Sequence, residues 1–244
     1  MKKKRLLIVL CAAVLVFSGG IYFYFFSKPN EFLSDDVVLE TINSYFPNAE
    51  IQETIIIEDT HVYVPFLTND RPGSSYWIWK NRNWELGAID VMQTPRIWKI
   101  NPKDPTTFVV VWNIESGDEV DEFAVYLTNQ RSYNVIYNVH RYTPKVQFET
   151  RVPLNGADQT YGMFTLPDEW IVFLENYLEV EGENQSDSIF FDNFHHHSNV
   201  QFGWIPYDKS GNVHFPSSEN GRTGHGFGNI HLDFLMSISE YEIE

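Results

Sequence analysis

The chain opens with four consecutive basic residues, Lys2 to Arg5, followed by an uncharged and largely apolar run of 21 residues from Leu6 to Phe26. Wound as a helix at about 1.5 Å per residue, that run spans about 30 Å, the depth of a bilayer's hydrocarbon core. The pattern predicts a transmembrane helix with the basic flank held in the cytoplasm and Tyr22 and Tyr24 at the far interface. A cleavable signal peptide is the alternative, with Val16-Phe17-Ser18 before a cut at Gly19 and a secreted product. The apolar run continues through Phe26, further than a cleaved peptide needs, so retention as an anchor is the preferred reading. This divides the chain into a cytoplasmic tail (1–5), an anchor (6–26) and an extracytoplasmic region (28–244).

After a short linker, Ser27-Lys28-Pro29-Asn30, the pattern takes a period near 3.6. Ser34-Asp35-Asp36 opens a helix with Val38, Ile42, Tyr45 and Phe46 on one face, and Pro47-Asn48 ends it. The period then drops towards two. Strands are predicted over 51–58, 61–67, 75–80, 84–91, 97–100 and 107–114, with tight turns at Asp59-Thr60 and between Lys80 and Trp84. Strand patterns continue over 123–127, 132–139 and 146–151. A second helix begins at Leu166-Pro167-Asp168-Glu169, carries Ile171, Leu174 and Leu178 inward, and is expected to stop at Gly182. Residues 200–207, 212–215 and 229–238 read as further strands, the first two joined by a turn at Asp208-Lys209-Ser210-Gly211. The fold class is therefore α+β: an N-terminal transmembrane helix, then an antiparallel-sheet-rich region with a few packed helices. The outer region is one large domain or two parts of about 30–115 and 116–244.

Charge sharpens this picture. The whole chain carries 17 Lys and Arg against 33 Asp and Glu, a net of -16. Four of the basic residues precede the anchor, so the outer region holds 13 against 33, a net of -20. Such a surface excludes nucleic acid as a partner and repels anionic headgroups. The one cysteine, Cys11, falls inside the apolar run, which leaves the outer region without thiol chemistry or disulfides.

Three constellations are candidates for chemistry. Six of the eight histidines lie in the last fifty residues. His195, His197, His214, His225 and His231, with neighbouring acids, are candidate ligands for zinc or another divalent metal, although no strict zinc spacing is present. An exposed loop at His195-His196-His197 is the plainer reading, so no cofactor is predicted. Trp77 and Trp79 share one face of a strand and would stack sugar rings if exposed; filling the space between helix and sheet is the competing role. The glycine-rich stretch from Gly221 to Asn229 has neither a dinucleotide fingerprint nor a Walker lysine, and reads as a connection between strands. No nucleophile elbow, Ser-x-x-Lys motif or Cys-His pair occurs, and no carboxylate pair is singled out by spacing.

The motifs Trp77-x-Trp79-x-Asn81-x-x-Trp84, Pro95 to Ile100, Trp112-Asn113-Ile114 and Phe202 to Asp208 resemble those of uncharacterised single-pass membrane-anchored proteins of Bacillus-type Gram-positive bacteria. The resemblance implies location and no particular activity. Taken together, the sequence predicts a structural or regulatory binding module of the cell envelope rather than a catalyst, facing another envelope protein or a cell-wall glycan. The rivals are a metal-dependent enzyme or metal-binding domain built on the C-terminal histidines, and a glycan-binding module built on the tryptophans.

Overall fold

The structure, a computed structural model, describes residues 11, 14–19, 29–115, 120–136, 138–154, 160–185, 200–216, 223–228 and 230–243. Among the described residues no helix is long and apolar enough to cross a membrane; most of the apolar run 6–26 lies outside them. The fold is a sheet-rich α+β arrangement with few helices and several antiparallel sheets.

Helix α1 (Asp35–Asn43) forms where the sequence places Val38 and Ile42 one turn apart with two acids in the first turn. It lies on a first sheet of β1 (Ala49–Ile51), β2 (Ile55–Glu58), β3 (His61–Thr68), β4 (Arg71–Lys80) and β5 (Asn83–Asp90). Two of the tight hairpin turns hold two residues each in the left-handed region: Asn69 and Asp70 between β3 and β4, Asn81 and Arg82 between β4 and β5. That conformation matches the twist of the flanking strands, and Asn and Asp tolerate it best. Alternation along β3 sends Val62, Val64 and Phe66 towards α1 and Tyr63 to the opposite face.

That opposite face meets a second sheet built on β6 (Arg96–Lys99) and β7 (Phe108–Asn113). The run Phe-Val-Val-Val-Trp-Asn of β7 is buried at every position because the second sheet is covered on both sides. Val109 and Val111 face the first sheet, while Phe108, Val110 and Trp112 face a third. The third sheet pairs β8 (Glu122–Asn129) with β11 (Val146–Pro153) and with β13 (Val200–Tyr207). Between β8 and β11 the hairpin continues as a separate two-stranded arm, β9 (Ser132–Ile136) and β10 (Val139–Thr143). Strand β12 (Tyr161–Thr165) joins the outer edge of β7, and helix α2 (Asp168–Gln185) then places Trp170 and Leu174 in the core between the second and third sheets.

The C-terminal stretch closes the sheets. Strand β14 (Gly224–Gly226) pairs with β5 in the first sheet, β15 (Leu232–Phe234) with β6 in the second, and β16 (Met236–Ser237) with β13 in the third. Three very short strands thus cover one otherwise bare edge in each sheet, where an open row of amide groups would invite pairing with another chain. Residues on both sides of position 115 contribute strands to the first and second sheets.

Several local expectations change. Helix α2 runs through Gly182 to Gln185. The predicted strand 229–238 is two strands in two sheets, with Leu235 between them turned into the core and its N–H donating to the Pro95 carbonyl. Residues 212–215 supply only a single bridge, Val213 to Tyr207. The glycine-rich connection contains an edge strand: a Cβ on Gly224 would come within 2.9 Å of the Asp90 Cβ, so this close approach requires glycine.

Candidate functional site

Among the described residues, the candidates named from the sequence do not gather. Of the described histidines, His225 lies on β14 beside the rings of Tyr45 and Phe46, His231 precedes β15 at the second sheet, and His214 bonds to Pro206 at the end of the third. Among the described residues no three His, Cys, Asp or Glu side chains converge as a metal site; His195 and His197 lie outside them. Trp77 and Trp79 form no shared platform. Trp77 is buried against α1, its edge met by Phe32 and its indole N–H donating to Ser75 Oγ, so its ring offers no face to a sugar. Trp79 packs edge-on against Trp84 at the β4–β5 turn, where the Trp84 indole donates to the Asn30 and Glu31 carbonyls.

Two arrangements that the spacing of residues does not announce are instead present. The first is a buried polar centre between the first and second sheets. Arg96, opening β6, donates to Asp90, closing β5, at 2.9 Å. Asp90 also accepts the Met92 N–H, and the Arg96 guanidinium lies 3.8 Å from the centre of the Phe234 ring. Burial pushes the Asp90 carboxyl up to about 6 despite the opposing pull of Arg96. Burial likewise raises the phenols of Tyr63 and Tyr76 well above their ordinary range. The Tyr63 hydroxyl donates to the Trp112 carbonyl at 2.9 Å and lies 3.0 Å from Ser74 Oγ. Nearby, Asn113 Nδ2 donates to Gln52 Oε1, to the Phe66 carbonyl and to the Gly73 carbonyl, tying β7 to the β3–β4 hairpin. A carboxyl and two phenols with raised pKa values resemble acid–base machinery. Here they are roofed by β14 and Phe234, and their hydrogen bonds are spent fixing one sheet upon the other.

The second arrangement is open. A groove of about 430 Å³ follows the third sheet's C-terminal edge, with Val213, Phe215, Ile238 and Tyr241 as apolar lining and Glu240 and Glu242 at the rim. Its wall is the chain after β16, held by the Ile238 N–H on the Trp204 carbonyl and by the Glu242 carboxylate accepting the Ser239 N–H. Its other wall follows the Asp208–Gly211 turn, in which Asp208 accepts the Ser210 and Asn212 N–H groups; those bonds hold its carboxyl below the usual range. Gly211 takes the positive φ that ends this turn. Tyr241 is wholly exposed, an uncommon position for an aromatic ring beside an apolar lining. Histidine and tryptophan counts draw attention away from this groove. The signal that was present is the alternation of Ser, Ile and Glu in the last eight residues. No protein family, no curated protein and no solved structure matches this chain.

Proposed function

We propose that this chain is a single-pass membrane-anchored protein whose acidic outer region works as a binding module of the cell envelope, structural or regulatory in role. The uncharged run 6–26 behind four basic residues supports the anchor and its orientation. The observation that carries the binding role is the groove at the third sheet. It couples an apolar lining to a rim of Glu240 and Glu242 on a region of net charge -20, a chemistry that suits an extended protein segment carrying both apolar and cationic side chains. Another envelope protein presenting such a segment is the partner this reading favours over a glycan, since Trp77 is closed off.

The test uses the full chain in nanodiscs and two short peptides, one alternating lysine and leucine, the other glutamate and leucine. The lysine peptide binds, and Glu240→Lys with Glu242→Lys weakens it about tenfold, the range of two exposed charge contacts. Equal binding of both peptides, or no loss in the double variant, overturns the reading. Anchoring is read separately: the native chain stays with membranes under alkaline extraction, and recovery in the soluble fraction refutes the anchor.

A further inference from the structure

The charge of the outer region is unevenly spread. Between Glu122 and Glu149 there are 26 residues without a carboxylate, and they hold Arg131, Arg141 and Lys145. The remaining outer region carries 10 basic against 33 acidic residues, a net of -23. This acid-free segment runs from β8 into the start of β11, and between them lies the arm β9–β10, which among the described residues pairs with no other strand.

Register fixes what one face of the arm presents. Tyr133 lies opposite Tyr142, and Val135 opposite His140, so all four share a face. Tyr133, Val135 and Tyr142 are 59%, 51% and 62% exposed, and the Tyr133 hydroxyl bonds to the His140 ring. Val135 and His140 lie nearer the turn than Tyr133 and Tyr142, and Asn138 takes the left-handed conformation of a tight turn. Exposed tyrosine and apolar side chains on one face of an acid-free hairpin, with Arg131 and Lys145 at its base, match the aromatic belt and the phosphate layer of a membrane interface.

Topology puts this arm at the end of the sheets from which the N-terminal linker leaves. The linker carbonyls of Asn30 and Glu31 are held by Trp84 at the β4–β5 turn. That end also carries His61, whose ring meets Trp98 of β6, and hence the start of β7, since Trp98 pairs with Val109. Strand β12 finishes there, Thr165 opposite Val109. Five residues on, Trp170 meets the rings of Phe148 and Phe202, both paired with Leu127 near the base of the arm.

We infer that the β9–β10 arm docks on the anionic surface of the membrane in which the chain is anchored, seating Tyr133, Val135 and Tyr142 at the headgroup level. The acid-rich remainder is repelled by the same surface, so attraction at the arm and repulsion elsewhere hold the domain in one orientation. The reading rests on the proposed anchor.

The experiment uses the full chain with Cys11→Ser and Val135→Cys, an environment-sensitive fluorophore on the new thiol, and vesicles containing nitroxide-labelled lipid. In vesicles of equal parts phosphatidylcholine and phosphatidylglycerol the label shifts to the blue and is quenched. In pure phosphatidylcholine, or with Arg131, Arg141 and Lys145 all changed to Gln, the docked-to-free ratio of the arm falls about 100-fold. Protein that is recovered with vesicles while its label stays unquenched overturns the docking proposal alone. Protein that is not recovered with any vesicle overturns the anchor instead. A blue shift that depends on protein concentration and not on lipid charge assigns the face to a second copy of the chain and also overturns the proposal.

Discussion

Asp90 and Arg96 are not equivalent partners, and substituting each in turn exposes the difference. An ordinary aspartate titrates near 3.8 and burial pushes Asp90 to about 6. The gap of roughly 2 units corresponds to about 3 kcal/mol by which folding favours the protonated over the ionised carboxyl. Because the folded pKa is raised, the folded state binds a proton between pH 6 and pH 3.8 that the unfolded chain does not. Stability from this group therefore climbs as pH falls through that window and is lowest above it. Asn removes the charge and keeps one oxygen for the Arg96 donor; the bond from the Met92 N–H to the second carboxyl oxygen is given up, and Arg96 keeps the Phe234 ring. Asp90→Asn should then stabilise the protein by up to about 3 kcal/mol at pH 7, whereas Arg96→Met leaves a buried carboxylate alone and costs about 3–5 kcal/mol. The assay is urea denaturation of wild type and Asp90→Asn at several pH values, followed by tryptophan fluorescence. Subtracting the two curves cancels every other titrating group. The difference should shrink by about 3 kcal/mol between pH 6.5 and pH 4. A variant less stable than wild type at pH 7, or a difference flat across that range, refutes the argument that desolvation outweighs the ion pair.

Two further outcomes follow from close contacts. Gly203→Ala places a Cβ 2.1 Å from Ile238 Cδ1 and 2.9 Å from the Met236 carbonyl, so β16 must shift; we expect a loss of about 1–3 kcal/mol, faster hydrogen exchange over 236–243 and loss of peptide binding in the groove. Asn113→Ala removes the donor from two buried carbonyls, of Phe66 and Gly73, and from the half-buried Gln52 Oε1, and should cost about 2–3 kcal/mol in denaturant titration.

The local structure was largely legible and its assembly was not. Alternation disclosed β3, β4 and β5, the stripe at Val38 and Ile42 disclosed α1, and the unbroken apolar run of β7 signals a strand covered on both faces. What no periodicity carries is which sheet a strand joins. Residues 232–237 look like one strand, yet the turn that buries Leu235 sends its halves to different sheets. Gly182 is a poor helix residue, but a penalty of about 1 kcal/mol does not end a helix already anchored by Trp170 and Leu174. Strand β12 went unseen because Tyr161-Gly162-Met163-Phe164-Thr165 is short and broken by a glycine; that glycine lies against the Trp112 ring, where a Cβ would come within 2.6 Å. The candidate sites were hidden for the same reason: Asp90 and Arg96 are six residues apart but meet across two sheets, and the groove exists only once β16 has docked on β13.

The three short strands at the C-terminal end also set the order in which the chain is completed. A chain synthesised from its N-terminus presents β5, β6 and β13 before β14, β15 and β16 arrive to cover them. Until the last twenty or so residues emerge, all three sheets expose a bare edge at once, so the nascent domain is most vulnerable to proteases and to pairing with its neighbours as its synthesis ends. Arrival of residues 224–237 then seals the three edges in succession, so a chain that lacks them keeps three open edges where the whole chain has none of the three.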